Sequence, residues 1–329
     1  MNNLQLSPLL EEYNSILIFT HVRPDGDAIG STLAWQRALE LAGKEVNIFC
    51  PDDIPLKYAF LPGSELFNKY IESCSKNHLV FVIDCSDLNR LEYMKNKISS
   101  AGRVVNVDHH TTNEYFGDYN IVDENASASA EIIYNLIKAN ELSLTFDISL
   151  ALYVGIASDT GSFKYDNTTP RSMRIAGELL EKGVSPSLVS QKVFDQFPLS
   201  TIFLLRDALF SLKIDATRKI AWMSMSEKEV QKYEASSDEL EGFVNYAKNI
   251  EGVEVGLFFY HTNEGSTKVG FRSKTVDISA AARSLGGGGH PRAAGCSVRG
   301  EPGEIENMVL DCVRKLLSKE ENLQNCLYS

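Results

Sequence analysis

The spacing of apolar residues changes character along the chain. Residues 15–21 (SILIFTH), 45–50, 79–85 (LVFVIDC) and 103–107 are short, mostly apolar runs, each of strand length. The run at 79–85 is apolar almost throughout, as a parallel strand buried on both faces should be. Longer stretches with helical spacing lie between them. Residues 28–41 predict a helix with Asp27 at its N-cap and Gly43 beyond its end. Residues 126–140 and 146–157 also read as helices, and 169–182 is amphipathic and stops at Gly183. Strands alternating with helices predict an α/β domain with a doubly wound, mainly parallel sheet over residues 1–186.

The pattern then changes. Residues 187–212 are helical and apolar on one side, with Pro198 as a break, and are expected to form a helical connector. Beyond it, 219–224, 253–261 and 268–273 read as strands. A charged helix over 226–233, a segment at 242–249 and a last helix over 304–317 accompany them. Residues 213–329 are thus expected to form a smaller α/β domain with a mixed sheet.

Composition narrows the classes. The apolar and charged fractions, 43% and 23%, are those of an ordinary globular protein. A net charge of −12 argues against non-specific binding of long DNA or RNA, but leaves room for a local phosphate pocket. Cys50, Cys74, Cys85, Cys296, Cys312 and Cys326 form no C-x-x-C pair and read as free thiols of a reducing compartment. With no signal-peptide pattern and no apolar run near ~18 residues, a cytoplasmic protein with no membrane partner is expected.

The candidate chemistry sits where the predicted strands end. VVNVDHH at 104–110 delivers Asp108, His109 and His110 at the end of an apolar run, and the carboxyl ends of strands are where open α/β sheets build sites. On a regular strand His109 and His110 would point apart, so both serve one site only if the chain turns there. The HVRPDGD motif at 21–27 supplies His21, Asp25 and Asp27 after the first strand. A Pro-Asp-Gly turn followed by an N-cap explains the two aspartates equally well at this point. Asp84 ends the third strand and, taken alone, reads as a turn residue. SDTG at 158–161 supplies Asp159; its single copy and α/β setting exclude an aspartic protease dyad.

His21, Asp25, Asp27, Asp84, His109 and Asp159 exceed the needs of one ion. Two divalent metal ions roughly 3.5–4 Å apart, bridged by a carboxylate, would use them all. Mixed Asp/His ligation suits Mn²⁺ best, with Mg²⁺, Co²⁺, Fe²⁺ or Zn²⁺ as alternatives. Such a pair activates water and clamps phosphoryl oxygens, which predicts phosphoester hydrolysis. A second stretch, GGGGHPRAAG at 286–295, offers Gly287, Gly288 and Gly289 as a backbone N–H cradle for an anion. His290 and Arg292 add charge-assisted donors, and Arg272 and Ser273 can face the same pocket. The bland alternative is a flexible linker.

HVRPDGD, the strand-end Asp84, VDHH, SDTG and GGGGHPRAAG, in this order, resemble the DHH phosphoesterase superfamily. The branch is the one with the DHH-associated C-terminal domain, and within it the oligoribonuclease and 3′-phosphoadenosine 5′-phosphate phosphatase group. The resemblance covers essentially the whole chain. It implies that His21, Asp25 and Asp84 hold one metal, and that Asp27, Asp84, His109 and Asp159 hold the other, with Asp84 bridging. It implies that His110 contacts the scissile phosphate and that Asp108 fixes an imidazole. Arg272, Ser273, His290 and Arg292 would hold a phosphate or base of the substrate across an interdomain cleft.

The expected function is a two-metal phosphoesterase acting on short single-stranded RNA oligonucleotides and on 3′-phosphoadenosine 5′-phosphate. A linear or cyclic dinucleotide phosphodiesterase stands close to it. A RecJ-type single-strand exonuclease would call for a further nucleic-acid-binding domain and a basic channel. A manganese pyrophosphatase would carry a different second domain. A non-catalytic nucleotide sensor is the alternative of another class, and the apolar connector helices offer a homodimer face or pack on their own domain.

Overall fold

The structure is a computed structural model and describes residues 4–327, without the side chains of His290 and residues 320–327. The His290 side chain and the Cys326 thiol, both singled out above, therefore lie outside the described residues. The chain forms two compact units, one ending at Gln196 and the other beginning at Phe197.

The first unit is built on five strands: β1 (Ser15–Phe19), β2 (Glu45–Phe49), β3 (His78–Ile83), β4 (Arg103–Asp108) and β5 (Tyr119–Val122). All pair in parallel, in the order β2-β1-β3-β4-β5. Period two divides β1: Ile16 and Ile18 enter a core on one face, Leu17 and Phe19 a core on the other. Its helices are α1 (Ser7–Glu12), α2 (Gly26–Leu41), α3 (Lys95–Ile98), α4 (Ser129–Ala139), α5 (Phe146–Asp159), α6 (Pro170–Glu181) and α7 (Pro186–Val193). Trp35 of α2 meets Phe81 of β3 edge to face with ring centroids 5.4 Å apart. Helices α2 and α5 touch at two glycines. A Cβ at Gly30 would lie 2.3 Å from the Ala151 carbonyl oxygen, and one at Gly155 2.9 Å from an Asp27 carboxylate oxygen. Only glycine permits that approach, and it carries Asp27 into the interior.

The second unit holds α8 (Leu199–Phe210), β6 (Lys213–Ile214), β7 (Ile220–Ser226), α9 (Glu227–Gln231), α10 (Val244–Lys248), β8 (Val255–His261), β9 (Ser266–Ser273), α11 (Ser279–Ser284), β10 (Gly288–His290), β11 (Ala293–Arg299) and α12 (Pro302–Leu327). Its sheet order is β10-β11-β9-β8-β7-β6. The β7–β8 pair is parallel and the others antiparallel, so the sheet is mixed as expected. Leu257 and Phe259 enter one core, Phe258 and Tyr260 the other.

Several expectations shift. The N-cap of α2 is Asp25, not Asp27: its Oδ1 accepts from the backbone N–H of Asp27 and Ala28 at 3.0 Å each. Asp27 lies in the first turn instead. Helix α4 begins at Ser129 rather than 126. The helical stretch over 187–212 is two helices, broken before Pro198 and divided between the two units. The glycine run is not a free linker, and part of its backbone is already committed. Gly286 and Gly287 donate their N–H groups to Arg283 and Ala282 carbonyls, closing α11, and Gly288 and Gly289 pair with Gly295 and Ala294 in a hairpin. Those first two donors have no direction left toward an anion.

Candidate metal and catalytic site

Strand β3 ends at Ile83, and Asp84 follows in the left-handed region at φ +58°. Its N–H still bonds to the Val107 carbonyl at 2.9 Å, so the reversal is held by β4. A non-glycine residue there is strained, and such strain gathers at functional positions. The turn points a carboxylate that is 1% exposed into a cluster of histidines. Asp84 Oδ2 lies 3.4 Å from His21 Nε2; Asp84 Oδ1 lies 3.6 Å from His109 Nε2 and 3.8 Å from His110 Nδ1.

Strand β1 delivers His21. Its Nδ1 lies 2.7 Å from the Val22 carbonyl oxygen and 2.8 Å from the Arg90 guanidinium. Strand β4 delivers the Asp-His-His triplet, and the chain does turn after Asp108. The His109 and His110 rings stand 4.6 Å apart at 60° and face the same cluster. His109 Nδ1 is set against the Ala126 carbonyl at 3.3 Å, which leaves Nε2 directed at Asp159 at 3.1 Å and Asp27 at 3.9 Å. Asp159 comes from the C-terminal end of α5. All six proposed ligands therefore converge. Three sets of donors fall within coordinating distance of one another: His21, Asp25 and Asp84; Asp27, His109 and Asp159; and Asp84, His109 and His110.

The electrostatics of the donor set fit cations. Asp25, Asp27, Asp84 and Asp159 crowd four carboxylates together. Burial and the neighbouring Asp84 and Asp159 charges hold the Asp27 carboxyl well above the ordinary range. The same causes lift the Asp25 carboxyl to about 6, although the residue is exposed at the surface of the site. For Asp84, burial opposes ionisation, but the His21 hydrogen bond and the His109, His21 and His110 rings outweigh it and hold its carboxyl below the usual range. Burial disfavours His109's charge, yet Asp159, Asp84 and Asp27 raise its pKa to about 11. Unbalanced acid of this kind, with imidazole nitrogens interspersed, is a donor set suited to two divalent ions sharing Asp84.

Sequence reasoning missed the supports. The N-terminus of α4 has no cap of its own. Its Ser129 and Ala130 N–H groups bond instead to the two oxygens of Asp27, at 2.5 and 2.9 Å. The Ser129 hydroxyl donates to Asp84 at 2.9 Å and Ser31 to Asp27 at 2.9 Å. Fully buried Glu131 holds Ser127 and pairs with Arg171, which also reaches Asp123 at 2.9 Å. An aspartate-rich chain carries no local sign of which serine will cap which carboxylate.

In the second unit, β9 and β11 place Arg272 opposite Ala293, and the Ser273 N–H donates to the Arg292 carbonyl at 3.1 Å. The two arginines are thus neighbours. Ser273 departs from expectation: it is buried, and its hydroxyl donates to the Val276 carbonyl within its own turn.

A parallel α/β unit with a strand-end carboxylate and imidazole cluster, followed by a mixed-sheet unit, defines the two-unit DHH class. The DHH family N-terminal domain matches residues 15–156, and the DHHA1 domain matches residues 220–319. The chain belongs to the DHH family. It is 34% identical to the bifunctional oligoribonuclease and PAP phosphatase NrnA of Thermus thermophilus, over 92% of this chain and 90% of that one. It is 29% identical to the protein of the same name from Bacillus subtilis, over 87% and 90%. Among solved structures, an exopolyphosphatase-related protein from Bacteroides fragilis superposes with a TM-score of 0.87 at 26% identity, covering 97% of this chain and 96% of the other. RecJ of Thermus thermophilus, solved with Mn²⁺, shares the fold at a TM-score of 0.52 and 16% identity over 95% of this chain and 55% of that one.

Proposed function

We propose that the protein is a divalent-metal-dependent phosphoesterase that trims very short RNA to mononucleotides and removes the 3′-phosphate of 3′-phosphoadenosine 5′-phosphate. The observation that carries this reading is Asp84. One of its oxygens faces His21 and the other His109, so a single carboxylate serves both donor groups. The names of the Thermus and Bacillus relatives support the substrates.

His21, Asp25 and Asp84 would hold one ion, and Asp27, Asp84, His109 and Asp159 the other, with Mn²⁺ the first choice on donor chemistry. When bound, the pair would activate water and neutralise phosphoryl charge. His110, anchored through Nδ1 at 2.7 Å on Asp108, would turn its other nitrogen toward the scissile phosphate; as the imidazolium, with both nitrogens protonated, it would give the Nε2 proton to the departing oxygen and be left as the Nδ1–H imidazole. Arg272 and Arg292 would supply the second unit's phosphate contacts. With a net charge of −12, affinity should come from these local groups rather than from a long electrostatic track.

The test is turnover with Mn²⁺ and Mg²⁺ on 5′-labelled RNA of two to about twenty nucleotides, 3′-phosphoadenosine 5′-phosphate, pGpG, cyclic di-AMP and pyrophosphate, with Asp84→Ala as control. Fast cleavage of the shortest RNAs and of the bisphosphate, lost in Asp84→Ala, is expected. Preference for long strands or cyclic dinucleotides would overturn the substrate assignment. Absence of turnover on every compound would overturn the enzyme reading.

A further inference from the structure

The chain of hydrogen bonds behind His110 does not end at Asp108. Asn106, on β4, is fully buried, and its amide nitrogen donates to the Val82 and Cys85 carbonyls at 3.3 and 3.1 Å. Both of its hydrogens are engaged, so its side-chain oxygen is left to face Asn113. That fixes the orientation of the second amide. Asn113 must present nitrogen to Asn106, and does so at 2.8 Å. Its other hydrogen goes to Asp108 Oδ2 at 2.6 Å, while its oxygen accepts the Tyr115 N–H at 2.7 Å. The Asn113 nitrogen also lies 3.5 Å from the Cys85 carbonyl, a longer contact than the two to Asn106 and Asp108.

Asp108 is fully buried, and these side chains meet its two oxygens from opposite sides: Asn113 at Oδ2 and His110 Nδ1 at Oδ1. A carboxylate oxygen accepts, so Nδ1 carries the proton and Nε2 is the nitrogen left for the phosphate contact proposed above. Without Asn113, one oxygen of a buried carboxylate would have no donor. The group would then be free to rotate, and that rotation releases the imidazole.

We propose that Asn113, backed by Asn106, is a positioning residue that fixes the tautomer and aim of His110 through Asp108. Nothing in the DHH motif itself marks it: Asn113 lies three residues beyond His110, in the turn that leaves the site. The proposal rests on the role given above to His110 in phosphoester cleavage.

The bland alternative is that Asn113 only ties the 109–116 turn, since its oxygen also holds the Tyr115 N–H. Asn113→Asp separates the two roles. It keeps an acceptor for Tyr115 but replaces the donor with an oxygen facing Asp108 and Asn106. Asn113→Ala and Asn113→Asp should lower kcat on a three-nucleotide RNA by about 10–100-fold with KM within about twofold. In a His110→Ala background, the same substitutions should lower kcat no further. Equal losses in the two backgrounds, or a wild-type-like Asn113→Asp, would overturn the proposal.

A second readout needs no turnover. Long-range ¹H–¹⁵N spectra of histidine-labelled protein at alkaline pH, metal-free and with Mg²⁺, should show His110 as the Nδ1–H tautomer in the wild type and a mixed population in Asn113→Asp. An unchanged tautomer in the variant would overturn the proposal. If the wild type turns over none of the proposed substrates, the functional reading fails and the spectra still decide the relay.

Discussion

Ser129 donates its hydroxyl to Asp84 at 2.9 Å while its own backbone N–H holds Asp27 at 2.5 Å. One residue at the start of α4 thus links Asp84 to Asp27, two of the carboxylates in the candidate donor cluster. The helix has no cap of its own, so the Asp27 carboxylate, a proposed ligand, serves as that cap. The start of α4 and the placement of Asp27 and Asp84 therefore depend on the same hydrogen bonds.

Ser129→Ala removes the hydroxyl and leaves the N–H in place. It should fold, lose about 1–2 kcal/mol of stability, and bind divalent metal roughly 10–100-fold more weakly. Calorimetric titration with Mn²⁺ on the purified variant checks this. An unchanged affinity would mean that the hydroxyl does not help to orient Asp84.

Gly155 exerts its effect by having no side chain. A Cβ there would lie 2.6 Å from the Ala130 Cβ and 2.9 Å from Asp27 Oδ1. Gly155→Ala should cost about 1–3 kcal/mol from overpacking and should also weaken metal binding if Asp27 is the ligand proposed above, because the strain falls on its carboxylate. Gly177→Ala, on the open side of α6 with nothing near its Cβ, should be neutral or slightly stabilising. Melting temperatures of the two variants, with and without Mn²⁺, separate crowding at the site from the general effect of replacing a helical glycine.

The contrast between these residues shows what a sequence reveals. The strands β1, β3 and β4 are legible because burial on both faces makes their central residues mostly apolar, and their ends carry His21, Asp84 and the Asp108–His110 triplet into view. Edge strand β5 is not, since only Ile121 of its four residues is buried. Strand β11 is written in small residues (AAGCSVR) that look like a loop. Asp25 and Asp27 are both visible, but which one caps α2 depends on a turn geometry that a Pro-Asp-Gly-Asp string leaves open. Ser129, Gly155 and Arg171 reach the site network from helices remote in sequence, and no local spacing announces such contacts.

Glu239 gives a pH dependence independent of the metal cluster. Partial burial opposes its charge, but the Ser200 and Thr201 hydroxyls, both at 2.6 Å, and the Ser236 N–H at 3.3 Å outweigh that and lower its pKa. A carboxylate depressed in the folded state adds stability that is present above its ordinary pKa and is lost as pH falls through the folded value. Glu239→Gln should therefore be less stable than the wild type by about 1 kcal/mol at pH 7, and the gap should close as pH falls below about 4. Urea midpoints at the two pH values test the sign; a gap that widens in acid would reverse it.

Arg171 meets Glu131 through Nε and Asp123 through Nη2, a forked arrangement that lysine cannot copy. Glu131 is fully buried, and the Ser127 N–H and hydroxyl hold its other oxygen. Removing Arg171 leaves a buried carboxylate without its cation, so Arg171→Ala should cost about 3–5 kcal/mol, and Arg171→Lys should recover only part of that. The penalty arises from the stranded charge rather than from the lost contact. Arg171→Ala combined with Glu131→Gln should therefore be more stable than Arg171→Ala alone. Ser127 stands two residues before Ser129, so the single variant should also loosen the segment that holds Asp27 and Asp84. Denaturation of the three variants measures the first effect, and their Mn²⁺ affinities measure the second. If the double variant is no more stable than Arg171→Ala, the buried charge is not what makes the loss of Arg171 costly.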